Sequence, residues 1–296
     1  LLNALLPSLH FGVPVVARRI GRFDPEATFA FLTEQGIRNA FIPPTALRLL
    51  RGVERPRERF RLALRSVTSA GEPLGTETFA WARAALGLDV NEVYGQTECN
   101  YVLASSTATG APRPGAIGRA VPGHDVAVIR SDGSRCAADE VGEIAVRRPD
   151  PAMFLGYWQQ PEATRRKFRG DWMLTGDRAR ADADGYVAFL GRDDDIITSS
   201  GYRIGPAEVE DCLLKHPAVA AAAAVGKPDP LRTEVVKGFV VLRPGIAPSP
   251  DVADDIRAFV RTRLSAHEYP REISFVEALP MTSSGKVLRR VLREQA

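Results

Sequence analysis

Five short stretches of this 296-residue sequence hold side chains whose types and spacing could do chemistry together. In "TSAGEPL" (68–74), Gly71, Glu72 and Pro73 form a turn between a strand-like run and a helix-like one. With no Cβ, Gly71 lets the backbone approach a flat ligand closely. "NEVYGQTEC" (91–99) offers the ring face of Tyr94 for stacking, the Thr97 hydroxyl for a phosphate oxygen and the Glu98 carboxylate as a hard ligand for Mg²⁺. "WMLTGDRARADADGYVAFLGRDDD" (172–195) places Asp177 behind a Thr-Gly turn, where a carboxylate can accept both hydroxyls of a ribose. Arg192 lies fifteen residues further on, beyond a strand, and can return to the same ligand as a cation. "SSGYRIGPAEVE" (199–210) sets Gly201 and Arg203 ahead of a helix. "PMTSSGKVLRR" (280–290) presents one lysine, Lys286, on a Ser/Gly turn. That turn is not a P-loop, because the upstream glycine of G-x-x-x-x-G-K-[ST] is absent and Val287 follows the lysine. Taken singly, each stretch is also an ordinary turn or solvated loop.

The elements that must position these groups fall into three patterns. Over residues 1–110, helical and strand-like runs alternate, which is the mark of an α/β layer. "DPEATFAFLTEQGI" (24–37) opens on Asp-Pro-Glu and carries Phe29, Leu32 and Ile37 along one side, as an amphipathic helix does. "GTETFAWARAALG" (75–87) closes on Gly87 as a C-cap, while "AFIPP" and "SVTSAG" fit buried strand ends. Over 111–190, Gly, Pro and Asp punctuate the short runs "DVAVI", "GEIAV" and "GYVAFL", a β-rich hairpin pattern. After "GRDDD" (191–195) the order becomes helix, strand, strand, helix, strand, a compact α+β unit of about a hundred residues. Its first helix, "GPAEVEDCLLKHP", has Pro206 near its first turn and Pro217 beyond its end.

Composition sets the outer limits. Hydrophobic residues make up 45% and charged residues 25%, as in ordinary globular proteins. A net charge of +3, with basic residues spread along the chain, argues against a nucleic-acid partner. The densest basic run (51–65) is broken by glutamates and has no aromatic ladder. Cys99, Cys136 and Cys212 are too few and too scattered for a disulfide frame or zinc site, and they fit a reducing cytoplasm. No apolar run reaches the roughly 18–20 residues of a membrane span. The opening "LLNALLPSLHFGVPVV" reads as the interior of a larger domain rather than as a leader.

Together, "YGQTE", "TGD", "GRDDDIITSSGYRIGPAEVE" and "PMTSSGKVLRR" resemble, in order and spacing, the adenylate-forming superfamily of acyl-CoA synthetases, luciferases and peptide-synthetase adenylation domains. The resemblance covers nearly the whole chain. "GEPL", "LDVNEVYGQTECN" and "HEYPREISF" look most like short- and medium-chain acyl-CoA synthetases. It implies an AMP-forming ligase of fatty acid metabolism that uses ATP, Mg²⁺ and CoA on a small carboxylic acid.

By that resemblance Lys286 bridges the carboxylate and the α-phosphate, Thr97 holds the α-phosphate and Glu98 the Mg²⁺. Gly71, Glu72, Pro73 and Tyr94 sandwich the adenine with Glu92 near its amino edge, while Asp177 and Arg192 take the ribose and phosphate side. It divides the chain into the remainder of a large α/β domain (1–110), a β-rich subdomain (111–190), a hinge (191–195) turning at Asp194, and a small mobile α+β domain (196–296). Rotation at the hinge would exchange Lys286 for Gly201 and Arg203, which serve the thioester step. Gly95 and Ala70 leave room in the acyl pocket and favour medium-chain or compact aromatic acids over acetate.

The superfamily's Ser/Thr/Gly-rich phosphate loop is not among these residues. The expectation is therefore that the 296 residues alone form adenylate poorly and that residues 1–17 stand partly exposed. Other expectations are a homo-oligomer and a lysine acetyltransferase acting on Lys286. The alternatives are an acetyl-CoA synthetase or aryl-CoA ligase, an adenylation domain loading a carrier protein, and a binding module without catalysis.

Overall fold

Apolar alternation and turn chemistry build three sheets in the computed structural model, which describes residues 2–17, 23–107, 110, 112–193, 195–282 and 287–296. The first sheet has the order β1 (Asn39–Phe41), β2 (Ser66–Ser69), β3 (Val90–Gln96), β4 (Asn100–Ser105), β5 (Arg119–Ala120). β1, β2 and β3 run parallel, and β4 and β5 complete the sheet antiparallel. Parallel pairing requires long crossovers, here carrying helices. In chain order the helices of this part are α1 (Leu2–His10), α2 (Pro25–Glu34), α3 (Pro44–Leu50), α4 (Pro56–Arg59) and α5 (Thr76–Trp81).

α2 starts where the sequence signals it, because the Asp24 carboxylate accepts the Ala27 N–H at 3.0 Å and Pro25 occupies the first turn. α5 runs into a π-turn at Ala82–Leu86 and stops at Gly87, whose φ of +69° suits a residue without Cβ. Phe29, Leu47, Leu50, Val67 and Val90 fill the core between these helices and strands.

The second sheet comprises β6 (Val126–Ile129), β7 (Val141–Arg147), β8 (Phe168–Arg169), β9 (Trp172–Ala181) and β10 (Val187–Arg192), with α6 (Pro161–Arg166) ahead of β8. All its pairings are antiparallel. The register of β9 against β10 sets Asp177 opposite Arg192. Cys99 on the β3–β4 turn and Val102 and Leu103 of β4 share one core with Ile144, Val146 and Met173 of the second sheet. Burial thus fixes the end of β3 against β9.

The third sheet holds β11 (Ile197–Ser199), β12 (Tyr202–Ile204), β13 (Val219–Asp229), β14 (Thr233–Leu242) and β15 (Glu272–Phe275), covered by α7 (Pro206–Leu214), α8 (Pro250–Arg261) and α9 (Arg289–Glu294). Its core is built on Ile197, Val209, Leu213, Val236 and Ile256. The helix–strand–strand–helix–strand order holds, with two additions. The β11–β12 hairpin turns on Ser200 and Gly201, both at positive φ (51° and 83°), which matches the twist of a two-residue turn. Three-residue strands carry too little periodicity to be read from sequence, and the same is true of the six-residue α9.

Leu6, Leu9 and Phe11 are 55%, 61% and 76% exposed, in line with the expectation for residues 1–17. Among the described residues no helix is long and apolar enough to cross a membrane.

Candidate active site

β3 runs its C-terminal end into a cavity shared with the second sheet and α7. Alternation along the strand sends Glu92, Tyr94 and Gln96 to one side, and each finds a buried partner. Glu92 is buried and accepts the Leu74 N–H at 3.0 Å, which ties the strand to the loop after Gly71. Burial pushes its carboxyl up to about 7, against the opposing pull of that hydrogen bond. The Tyr94 hydroxyl donates to Asp177 Oδ2 at 2.5 Å, and Gln96 Nε2 donates to the same oxygen at 2.8 Å. Gln96 also donates to the Thr175 carbonyl at 2.8 Å, and the Thr175 hydroxyl donates to the Ile144 carbonyl at 2.7 Å.

Burial raises the Asp177 carboxyl above the usual range, while Tyr94, Arg192 and Gln96 oppose the rise. Oδ2 is thus occupied by two donors, whereas Oδ1 takes no hydrogen bond among the described residues. The carboxylate meets the cavity with one oxygen free of hydrogen bonds among the described residues.

Glu98 follows on the turn between β3 and β4. Its Oε1 accepts the Tyr157 hydroxyl at 2.6 Å, and its backbone carbonyl accepts the Phe154 N–H at 2.7 Å. Burial works against the charge, but the Tyr157 hydroxyl, Lys167 and Arg192 hold the carboxyl below its ordinary range. A half-buried carboxylate kept ionised suits a hard cation that also binds phosphate oxygens, so the donor chemistry fits Mg²⁺. No group of three or more His, Cys, Asp or Glu among the described residues would hold a metal alone. Thr97, beside Glu98, is exposed on the same turn.

The Gly71–Pro73 turn lines the cavity with Ala70. Gly71 has φ +99°, and Glu72 accepts Arg48 Nη2 at 2.7 Å and the Thr45 hydroxyl at 2.9 Å, both from α3. Two donors on a neighbouring helix therefore immobilise the turn.

Gly95 requires a correction. It lines the cavity, but a Cβ there would lie 1.6 Å from the Asn100 carbonyl oxygen, at the irregularity in the β3–β4 register. The position is small because two backbones approach, so its size says nothing independent about acyl room. Gly95→Ala should destabilise the protein by about 1–3 kcal/mol or more through overpacking, read as a lowered melting temperature. An unchanged melting temperature would contradict this account.

The third sheet closes the cavity from the other side. Asp211 on α7 accepts the Thr76 N–H and hydroxyl, each at 3.0 Å, and Arg180 meets Glu208 at 3.3 Å. Arg289 reaches both oxygens of Glu210 at 2.9 Å, and Arg293 is ion-paired with Asp195. Val287 and Arg289 line the cavity. Lys286 and Asp194 lie outside the described residues. Gly201 sits on the hairpin tip with nothing near its Cα face, and Arg203 pairs with Asp193 at 2.7 Å. Neither of these two lines the cavity.

The structure thus gathers Ala70, Gly71, Glu72, Pro73, Glu92, Tyr94, Gly95, Thr97, Glu98, Asp177 and Arg192 around one space and leaves Gly201 and Arg203 off it. Gln96, Thr175, Arg48, Tyr157 and Asp211 also build the site. Sequence reasoning assigned them no role because the bonds that bring them to the site span 24 or more residues, as with Arg48 and Glu72 at a separation of 24 and Tyr157 and Glu98 at 59.

Strand ends of an α/β layer, an antiparallel sheet packed on it and a small α+β unit facing one polar cleft define a two-part ligand-cleft protein. The chain belongs to the AMP-binding enzyme family, whose profile matches residues 1–158, and the AMP-binding enzyme C-terminal domain matches residues 208–286. It is 38% identical over 276 residues to an acetyl-coenzyme A synthetase of Bacillus subtilis (strain 168), covering 92% of this chain and 48% of that protein. It is 39% identical over 300 residues to a mitochondrial acyl-coenzyme A synthetase of Homo sapiens, covering 99% of this chain and 51% of that protein. The crystal structure of the anthranilate CoA ligase AuaEII in complex with anthranoyl-AMP superposes with a TM-score of 0.90 at 29% identity, over 99% of this chain and 55% of that one. The chain spans about half the length of the curated relatives it matches.

Proposed function

We propose that the protein is an AMP-forming acid–thiol ligase, joining a small carboxylic acid to CoA through an acyl-adenylate. The observation that carries this reading is the Asp177 carboxylate, buried under Tyr94 and Gln96, with Oδ1 open to a cavity that also holds ionised Glu98. In this reading Oδ1 accepts ribose hydroxyls, and the immobilised turn at Gly71, Glu72 and Pro73 packs against the adenine with Tyr94. Glu92 supports that turn through Leu74.

A carboxylate oxygen attacks the α-phosphorus and pyrophosphate leaves; the thiol sulfur then attacks the acyl carbon and AMP leaves. ATP supplies the leaving pyrophosphate, and Mg²⁺ supplies charge neutralisation. Bringing one anion onto another demands positive charge at the attack site. Lys286 would provide it, assisted by Arg192, with Thr97 at the α-phosphate and Glu98 toward the cation. The neighbours Val287 and Arg289 line the cavity, which supports Lys286 in the first step. Gly201 and Arg203 would serve the second step after rotation at Asp194, between units ending near 190 and starting near 196. Acetylation of Lys286 would remove the needed charge. We keep a medium-chain or compact aromatic acid as the substrate, now on Ala70 alone.

The test is pyrophosphate release by the full-length protein over a carboxylate panel, with and without CoA. Release should depend on the acid, and acyl-CoA should appear only with CoA. Lys286→Ala should lower pyrophosphate release about tenfold to a hundredfold. No acid-dependent release from any carboxylate would refute the ligase reading, and a peak at acetate would refute the acyl preference.

A further inference from the structure

Lys167 lines the cavity beside the residues discussed above, yet neither the motifs nor the reading of the site gives it a role. It caps α6, and its carbonyl accepts the Leu174 N–H at 2.8 Å, so its backbone is fixed between a helix and β9. Its ammonium donates to the Thr175 carbonyl at 3.3 Å, the oxygen that Gln96 Nε2 also reaches at 2.8 Å. Gln96 in turn holds Asp177 Oδ2, so the ammonium lies one shared carbonyl away from the amide that positions that carboxylate. Glu98 lines the same cavity as Lys167. The cation therefore shares one cavity with the carboxylate assigned to the ribose and the one assigned to the metal.

Four other cations around the cavity are committed to carboxylates, Arg48 to Glu72, Arg180 to Glu208, Lys215 to Asp211 and Arg289 to Glu210, and Arg263 donates to the Phe259 carbonyl and the Thr262 hydroxyl. Lys167 forms no ion pair among the described residues. An ammonium has three donors, and one long bond to a carbonyl leaves capacity for an anion. The group of a nucleotide that stands between ribose hydroxyls and a phosphate-bound cation is the α-phosphoryl.

We propose that Lys167 is a phosphate-binding residue that contacts the α-phosphoryl of the bound nucleotide. It would add a second positive charge from the large part of the molecule to the one expected from Lys286. The assignment rests on the ligase reading, because it takes Asp177 as the ribose end and Glu98 as the metal end. An ammonium binds phosphate as a point charge, so the position should accept arginine better than any neutral residue.

The experiment titrates full-length protein with AMP and with adenosine by calorimetry, for the wild type, Lys167→Met and Lys167→Arg. Methionine keeps the apolar stem, and unchanged adenosine binding certifies a folded site. The expected result is an AMP affinity lowered about tenfold or more in Lys167→Met, with adenosine affinity unchanged and AMP affinity largely restored in Lys167→Arg. Equal AMP affinity in wild type and Lys167→Met would overturn the assignment and leave the ligase reading intact. An equal loss for AMP and adenosine would also overturn it, marking Lys167 as a structural support of Thr175. Absence of AMP and adenosine binding in the wild type would remove the ligase reading itself, and this assignment with it.

Discussion

Asp177→Ala should lower the affinity of the full-length protein for adenosine by on the order of 10²–10³-fold, since hydrogen bonds to a charged group contribute about 1.5–3 kcal/mol each. The magnitude follows from how the carboxylate is held. Oδ2 is saturated by the Tyr94 hydroxyl and Gln96 Nε2, which aims Oδ1 into the cavity. A free, aimed acceptor binds a pair of vicinal hydroxyls without first breaking bonds of its own. The same arrangement gives a second expectation. In Asp177→Ala the Tyr94 hydroxyl and the Gln96 amide lose a buried acceptor, which should cost about 1–3 kcal/mol of stability.

Because a loss of fold could imitate a loss of binding, the deciding comparison is with 2′,3′-dideoxyadenosine. Wild type should bind it far more weakly than adenosine, whereas Asp177→Ala should bind the two alike. Removing either side of one interaction costs the same energy once, so the two losses must not add. Additive losses would show that the hydroxyls are bound elsewhere and would withdraw Asp177 from the ribose.

Much of this site could be read from residue order because its groups sit where short-range rules act. Glycines mark the turns at 71 and 201, Asp24 and Pro25 start α2, and Gly87 stops the helix that follows α5. Tyr94, Thr97 and Glu98 fall within five consecutive residues at the end of β3 and the turn after it, so one short stretch carries all three. What could not be counted is pairing across the sheets. The register that sets Asp177 opposite Arg192 depends on an antiparallel ladder with a bulge after Phe189, and no local pattern encodes it. Tyr157 sits in an irregular segment with no periodicity and becomes part of the site only because that segment folds over Glu98. Gly95 shows the opposite error. A small residue beside a binding strand suggests room for ligand, but its neighbour is the backbone at Asn100. The carbonyl that crowds Gly95 is invisible until the β3–β4 register is known.

Glu92→Gln should make the protein more stable above pH 7 and leave its stability nearly unchanged at pH 5. The carboxyl is buried and among the described residues accepts only the Leu74 N–H, so burial raises it to about 7 in the folded state from an ordinary value of 4.5. Between those values the folded protein binds more protons than the unfolded chain, and stability must fall as pH rises. The contribution is complete below about pH 4.5 and is lost by a little above pH 7, with an upper size of about 3 kcal/mol. Glutamine keeps an acceptor for Leu74 and has no charge to bury, so the variant should not show the decline.

Melting temperatures of both proteins across pH 5–8 would measure this as a gap that opens with rising pH. Parallel curves would mean that the ionised carboxylate is well solvated from the cavity. The direction also bears on function. At neutral pH this residue sits near the midpoint of its titration, under the turn assigned to the adenine. A ligand that brings a hydrogen-bond donor to Glu92 will favour the ionised form and release protons on binding, whereas one that needs a donor from it will take protons up. Calorimetry in buffers of different ionisation enthalpy separates the two cases, and only proton release places the adenine amino group at Glu92.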